Sequence, residues 1–409
     1  MSNIPKLRFP EFIGEWEEKK LSDIASFSKG KGYTKNDLVK NGTPIVLYGR
    51  MYTKYETVIS DIDTFVNLQV GSIISKGGEI IVPASGETAE EISRASVVKN
   101  KGIILGGDLN ILSLQKDKYN PEFFALTISS GTSQKRLSKL AQGKSVVHLH
   151  NEDLSGLQIK VPSLAEQQKI ADFLSNVDSI ITAETKILNT LQKKKKALMQ
   201  KLFTRQLRFK SDDGTDFPAW EETLIKNIAL QVTVGIANSA THAYRADGVI
   251  MFRNQNIKEN YLDDTDIIYI SNDFEETYKN KRLKKYDILV TRTGYPGIAC
   301  VVPEKYENAQ TFTTLILRLK LEKCNPFYIC QFINSPLGKK YIKLTQIGGG
   351  QKNSGAGILE KMPIKLPCIE EQQKIADCLS SIDSLIQNQQ KVVTTWQQRK
   401  KALLQQMFI

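Results

Sequence analysis

The seven residues Glu-Gln-Gln-Lys-Ile-Ala-Asp occur at 166–172 and again, 205 positions later, at 371–377. In both copies a proline precedes the segment and a long pattern typical of a helix follows it. The chain has 409 residues, so the offset is almost half of its length. A separation of this size predicts that the whole chain is a tandem repeat of two similar halves.

Shorter matches support the duplication. Leu7-Arg8-Phe9 and Trp16-Glu17 recur as Leu207-Arg208-Phe209 and Trp220-Glu221, whereas residues 26–105 match their counterparts only weakly. The repeat predicts a globular domain, a helix, a second globular domain and a second helix. We place these four segments at 1–162, 163–205, 206–367 and 368–409.

Apolar residues in both helical segments are spaced alternately by four and three positions, which is typical of a coiled-coil seam. The predicted seam residues are Ile170, Leu174, Val177, Ile181, Leu188, Leu191, Leu198 and Leu202, then Ile375, Leu379, Ile382, Ile386, Val393, Trp396, Leu403 and Met407. We expect helices at about 164–204 and 369–408, paired antiparallel about an approximate two-fold axis. The alternative is that each helix pairs with another protein.

Polar residues interrupt the two seams at the same places. They are Glu184 and Lys195 in the first helix, and Gln389 and Lys400 in the second. Polar seam residues usually fix the register or the oligomeric state of a coiled coil. Lys193 to Lys196 form a charged run, which is either a phosphate-binding patch or a solvated helix face.

The globular segments have short apolar stretches between glycine, asparagine and aspartate residues, which favours mixed, twisted sheets. The predicted strands lie at 45–47, 72–74, 80–82 and 103–105, and at 249–252, 267–270, 287–290 and 298–302. Asparagine followed by proline predicts helices at 121–129 and 326–334, because asparagine caps a helix and proline suits its first position. The fold class is therefore α+β.

Lysine and arginine outnumber aspartate and glutamate by 56 to 44, giving a net charge of +12 that favours a polyanionic partner such as nucleic acid. The loops between strands combine basic, amide and aromatic side chains, which recognise bases or hold phosphates. The candidate DNA-binding residues are Lys29, Lys31, Tyr33, Tyr48, Arg50, Tyr52, Lys144, Ser145 and His148, then Arg253, Asn254, Gln255, Asn256, Arg292, Thr293, Tyr295, Gln351, Lys352 and Asn353.

No catalytic or metal-binding residue is predicted. The five cysteines have no Cys-x-x-Cys spacing, and the three histidines have no partners at ligand spacing. Lys29-Gly30-Lys31-Gly32 resembles a glycine-rich cofactor loop but lacks the strand and helix that such a loop requires. The sequence has no apolar run that could span a membrane, so we expect a cytoplasmic protein.

Taken over its whole length, the sequence resembles the specificity subunits of type I restriction–modification systems. The most specific similarity is the segment Pro162–Ala171 with its long helix, repeated at Pro367–Ala376; the Leu-Arg-Phe and Trp-Glu pairs also fit. The resemblance implies that two variable target-recognition domains each recognise one half of a split DNA sequence. It also implies that the helices set the gap and dock two modification (methyltransferase) subunits, which restriction subunits then join. S-adenosylmethionine and ATP would be bound by these partner subunits and not by this chain.

Two other functions remain open from the residues alone. One is a methyltransferase or nuclease in its own right, which would need a cofactor or metal site that the sequence does not reveal. The other is a coiled-coil scaffold that binds DNA without sequence preference.

Overall fold

The computed structural model describes residues 4–141, 143, 146–345 and 355–408. It divides into two compact units. The first unit comprises Met1–Glu184 with Val392–Ile409, and the second comprises Thr185–Lys391. Each unit therefore contains one globular domain and a part of both long helices.

The first unit is built on two five-stranded sheets. Its strands are β1 Glu17–Lys20, β2 Ala25–Lys29, β3 Leu38–Val39, β4 Thr43–Val46, β5 Val58–Ile59, β6 Phe65–Val66, β7 Ile74–Lys76, β8 Glu79–Pro83, β9 Ser85–Gly86, β10 Ser96–Val98, β11 Lys101–Leu105, β12 Leu109–Leu114, β13 Val147–His148 and β14 Gln158–Val161. The sheet orders are β2-β12-β8-β10-β5 and β3-β6-β4-β11-β7, with two-stranded pairs β1-β14 and β9-β13. Both large sheets are mixed, because β10 pairs parallel with β5 and β11 pairs parallel with β4.

The α-helices that begin among the described residues of the first unit are α1 Arg50–Thr53, α2 Ala89–Ile92, α3 Pro121–Ile128, α4 Gly131–Leu140, α5 Asn151–Ser155 and α6 Leu164–Phe203. The side chain of Asn120 accepts a hydrogen bond from the backbone of Phe123 and so caps α3, as the Asn-Pro dipeptide predicts. The helix ends at Ile128, one residue before the predicted end.

The second unit repeats this topology. Its strands are β15 Glu221–Leu224, β16 Ala229–Val234, β17 Tyr244–Arg245, β18 Val249–Phe252, β19 Ile257–Lys258, β20 Tyr261–Leu262, β21 Ile268–Ile270, β22 Ile288–Val290, β23 Ala299–Val301, β24 Gln310–Thr311, β25 Leu315–Leu319 and β26 Pro363–Leu366. The order β16-β25-β22-β23 corresponds to β2-β12-β8-β10, and β17-β21-β18-β24 corresponds to β3-β6-β4-β11. The pair β15-β26 corresponds to β1-β14, so the strand order is duplicated even where the sequences have diverged.

The helices that begin in the second unit are α7 Ile225–Ile228, α8 Asn272–Glu276, α9 Pro326–Asn334, α10 Pro336–Thr345, α11 Ala356–Glu360 and α12 Ile369–Met407. Helix α9 has the predicted bounds, and the bounds of both long helices differ from the predicted ones by one residue at most. Of the predicted strand at 72–74, only Ile74 lies in a strand.

The two long helices pack antiparallel in each unit. In the second unit, Met199 and Leu202 near the end of α6 join the same apolar core as Ile375 and Leu379 near the start of α12. In the first unit, Ile170 and Leu174 near the start of α6 share a core with Met407 and Phe408 at the end of the chain. All the predicted seam residues are buried or half-buried. The α+β class and the antiparallel helix packing are as predicted.

Candidate nucleic-acid interface

The first residue of the repeated segment joins a long helix to its own globular domain. Glu166 is buried at the start of α6, and its carboxylate accepts two hydrogen bonds of 2.7 Å from the guanidinium of Arg8. The indole of Trp16 donates to the same carboxylate at 3.2 Å. The hydrogen bonds to Glu166 raise the pKa of the Arg8 guanidinium above its usual value.

The second repeat has the same arrangement. The Glu371 carboxylate accepts hydrogen bonds from Arg208 at 3.0 and 2.7 Å and from the indole of Trp220 at 2.8 Å. The hydrogen bonds to Glu371 likewise raise the pKa of Arg208. The distant Leu-Arg-Phe, Trp-Glu and Glu-Gln-Gln segments recur together because the arginine, the tryptophan and the first glutamate of these segments are hydrogen-bonded to one another in each half.

The two glutamines of the repeated segment hold the Asn-Pro turn. Gln167 accepts from the backbone of Asn120 at 2.9 Å and donates to the carbonyl of Pro162 at 2.9 Å, while Gln168 accepts from the Asn120 side chain at 2.6 Å. Gln372 and Gln373 make the equivalent bonds to Asn325 at 2.8 and 2.6 Å. These first three residues of the segment therefore face their own domain and fix the start of the helix.

Four of the predicted DNA-binding residues of the first domain lie around the short pair β9-β13. His148 pairs with Ser85, whose carbonyl accepts a 2.5 Å hydrogen bond from Tyr52, and Tyr52 contacts Tyr48 edge to face. A cavity of about 220 Å³ beside this pair is lined by Lys29 and His148. Ammonium and imidazole groups can hold a phosphate or contact a base edge.

His150, which is not among the candidate DNA-binding residues predicted from the sequence, stacks on His148 with ring centroids 6.3 Å apart and lines the same cavity. Asp108 also lines it. The glycine loop beside the cavity is set by close packing, because a Cβ on Gly30 would lie 1.8 Å from the carbonyl oxygen of Gly106. The short β9-β13 pair places these residues together, and no spacing in the sequence marks it.

Arg50 and Tyr33 are already occupied by contacts inside the first domain. The Arg50 guanidinium is buried and binds the carboxylates of Glu56 and Asp63, both at 2.7 Å. The Tyr33 hydroxyl lies 2.6 Å from that of Ser72 and accepts from the backbone of Gln69. In this conformation both side chains stabilise loops, whereas Lys31 remains exposed.

The second domain gathers its predicted residues around Asn254. The Asn254 amide donates to the hydroxyls of Thr293 and Thr313 at 2.8 and 3.2 Å, and its oxygen accepts from the backbone of Arg292 at 3.2 Å. One amide thus holds three loops together. Tyr295, at 84% exposure, projects from the same loop as Arg292.

Arg292 differs from the other predicted polar residues of this domain. Arg253 and Gln255 bind the carboxylate of Asp266 at 2.8 and 2.6 Å, and Asn256 is buried by hydrogen bonds to backbone carbonyls. The buried Nε atoms of Arg253 and Arg292 both have no hydrogen-bond partner among the described residues, but only the Arg253 guanidinium has an ion pair, through its Nη2. An arginine that its backbone positions and no described carboxylate binds is suited to a bidentate contact with guanine or phosphate.

Five predicted residues lie outside the described residues: Lys144, Ser145, Gln351, Lys352 and Asn353. Within the described ranges, no group of three or more histidine, cysteine, aspartate or glutamate side chains is suited to hold a metal ion. No helix in that part of the chain is long and apolar enough to cross a membrane.

Two similar mixed-sheet domains, each clamped to a long helix and each bearing a cluster of basic and aromatic loop residues, define a duplicated DNA-recognition protein. The family model "Type I restriction modification DNA specificity domain" matches residues 13–193 and again residues 220–395. The chain belongs to this family, the specificity subunits of type I restriction–modification systems, which are DNA-recognition subunits and not catalysts.

Relatives and solved structures agree with this assignment. The "Type I restriction enzyme MjaVIII specificity subunit" of Methanocaldococcus jannaschii is 26% identical over 97% of this chain and 92% of that protein. The Escherichia coli "Type I restriction enzyme EcoBI specificity subunit" is 23% identical over 64% of this chain and 59% of its own length. In fold, the chain is similar to the S subunit from M. genitalium, with a TM-score of 0.62, 14% identity and 99% coverage of both chains. A chain from a study of complex assembly and conformational transition of the type I R-M system gives a TM-score of 0.55, 16% identity and coverage of 95% and 96%.

Proposed function

We propose that this chain gives a type I restriction–modification complex its DNA sequence specificity by recognising a split, asymmetric target. The first domain recognises one half-site and the second domain recognises the other. The observation that supports this most directly is the contrast between duplicated frames and unlike loop clusters. Both domains have the same strand order, but one presents Lys29, His148 and His150 and the other presents Arg292 and Tyr295.

In the proposed complex the two long helices set the gap between half-sites and dock two modification subunits. Each helix exposes an apolar side chain at the equivalent position, Ile180 in α6 and Leu385 in α12, at 36% and 55% exposure. Seven residues further along, Ile187 and Val392 are also exposed. An apolar residue repeated at heptad spacing outside the seam is suited to pair with a helix of another protein. The equivalence of the positions favours two copies of one partner.

The chemistry belongs to the partners in this proposal. The modification subunits bind S-adenosylmethionine and methylate the DNA, and restriction subunits, which bind ATP, join through them. The complex acts on DNA in the cytoplasm. In this proposal, this chain contributes only the DNA-binding energy and the spacing between the half-sites.

The test is to co-express the chain with its candidate modification subunit and to map methylated bases across the host genome. A single split motif with a constant internal gap, absent when this chain is omitted, is the expected result. Methylation by the purified chain alone would show that it is a catalyst. Binding of equal strength to every DNA sequence by the assembled complex would instead favour the scaffold function.

A further inference from the structure

A groove of about 910 Å³ in the second unit is lined by seven lysines and only two carboxylates, Glu259 and Asp383. Its walls come from the paired helices α6 and α12, from α10 and from the β19-β20 hairpin. None of the candidate DNA-binding residues that the structure describes lines it. The groove is therefore a strongly positive surface that the function described so far does not use.

Several of the lysines have no neutralising partner. Lys195 pairs with Asp383 and Lys339 pairs with Glu259, while Lys258 lies 3.8 Å from Asp263. The other four lysines are exposed, and the described part of the chain offers them no ion-pair partner: Lys196, Lys340, Lys343 and Lys391. Clustered, unpaired ammonium groups repel one another, and a polyanion in the groove would remove that repulsion.

The lysines of the groove are only partly repeated. Lys339 and Lys343 on α10 correspond to Gln134 and Ser138 on α4 of the first domain, but Lys340 and Lys196 correspond to Lys135 and Lys401. The charge that Lys339 and Lys343 add to the groove is therefore specific to the second domain.

The groove lies close to the second recognition cluster. Asn254, which holds the loop of Arg292 and Thr293, is only four residues from Lys258 at the groove wall. Four residues span at most about 13 Å, and Asn254–Asn256 form a turn that shortens this distance. One strand of duplex DNA carries a phosphate about every 3.4 Å along the axis, so the groove begins within about four nucleotides of the cluster.

We propose that this groove binds the sugar–phosphate backbone of the DNA beside the half-site recognised by the second domain, on the side of the gap. The inference rests on the proposed function, because the paired helices that form one wall of the groove are the elements that would set the gap. Lysine ammonium groups are mobile point charges without the planar fork that matches a base edge. The groove therefore increases affinity and salt dependence without adding sequence discrimination.

The experiment uses the complete complex with its modification subunits and a 40-base-pair duplex that contains the mapped target. In the double variant K340Q/K343Q, the slope of log K against log salt is expected to fall by about 1.8, because each lost phosphate contact removes about 0.9. The ratio of affinities for target and random duplexes is expected to stay the same. The control is K226Q/K323Q, which removes two exposed lysines of the second domain that do not line the groove, and the slope is expected to be unchanged.

A second duplex replaces four phosphates on the gap side of the half-site with neutral methylphosphonates. On this duplex the wild-type complex is expected to lose up to about 3.6 of its slope, because four phosphate contacts are removed, and K340Q/K343Q is expected to have the same slope as the wild type there. A slope difference between variant and wild type that persisted on the neutral duplex, or an unchanged slope of the variant on the native duplex, would overturn the groove proposal while the wild-type complex still discriminated its target. A variant that no longer co-purified with the modification subunits would assign the groove to an acidic protein surface and would also overturn it. Failure of the wild-type complex to discriminate would count against the proposed function itself.

Discussion

Asp178 in the first half of α6 forms an ion pair with Lys400 in the second half of α12, with Oδ1 and Nζ 2.5 Å apart. Asp383 and Lys195 form the equivalent pair in the second unit. Each aspartate is also bound by its own globular domain, Asp178 by Thr57 at 3.3 Å and Asp383 by Gln331 at 2.6 Å. Lys195 and Lys400 are among the polar residues that interrupt the two seams. At these positions the ion pairs fix the register of the helices, and the bonds from the aspartates to Thr57 and Gln331 fix the position of each globular domain.

Removing Asp383 alone should destabilise the chain. D383A leaves the ammonium of Lys195, which is 7% exposed, without its partner, and a broken buried pair costs about 3–5 kcal/mol. The free energy of unfolding in denaturant measures this loss. The exchanged pair K195D/D383K should recover most of it, and a D383A protein as stable as the wild type would show that the pair does not hold the helices.

Neutralising Glu371 should loosen the start of α12. E371Q removes the charge that binds Arg208 twice, and hydrogen bonds to charged groups contribute about 1.5–3 kcal/mol. Amide hydrogen exchange in the first turns of α12 should accelerate. E370Q, one residue earlier and exposed, removes the same charge from the helix N-terminus and should leave exchange nearly unchanged. Equal acceleration in both variants would attribute the effect to the helix dipole instead.

A charge on the exposed apolar face of a helix should reduce the number of bound modification subunits. L385K and I180K each place an ammonium group at one of the two equivalent sites, so each single variant should bind one copy and the double variant none. Native mass spectrometry of the purified complexes counts the copies. Because both positions are exposed, the unfolding temperature of the isolated chain should not change. S384K, at a neighbouring exposed polar position, should still bind two copies.

Replacing Arg292 should relax recognition at one base pair. R292A removes the guanidinium that lies without a partner in the second cluster, and a bidentate base contact contributes about 1–3 kcal/mol of discrimination. Competition binding with duplexes substituted at each target position measures it. R245A removes an exposed arginine that bonds only backbone carbonyls of its own loop, and should preserve discrimination. A uniform loss on all duplexes for R292A would make this residue a phosphate contact.

The long helices could be predicted within a residue because their heptad pattern and the repeat both mark them. The sequence did not show which loop residues are occupied by bonds inside the domain and which are available to contact DNA. Arg50, Asn256 and Arg292 look alike in sequence as polar residues after a strand, but carboxylates or carbonyls from distant segments bind the first two and leave the third available. The basic groove was equally hidden, because its lysines come from four separate stretches of the chain and only Lys195 and Lys196 belong to the charged run noted in the sequence.

The end of each long helix completes a core in the opposite half of the sequence. Phe408, from the last residues of the second repeat, packs on Phe123 of the first domain, whereas Phe203, from the end of the first repeat, packs on Tyr328 of the second domain. Two separate copies of one half-length chain could make both contacts by exchanging helix ends, and both copies would then carry the same recognition domain. In this chain the exchange is internal, so a mutation in one domain does not appear in the other. Under the proposed function, the exchanged phenylalanines therefore permit two unlike half-sites on a frame whose strand order is repeated.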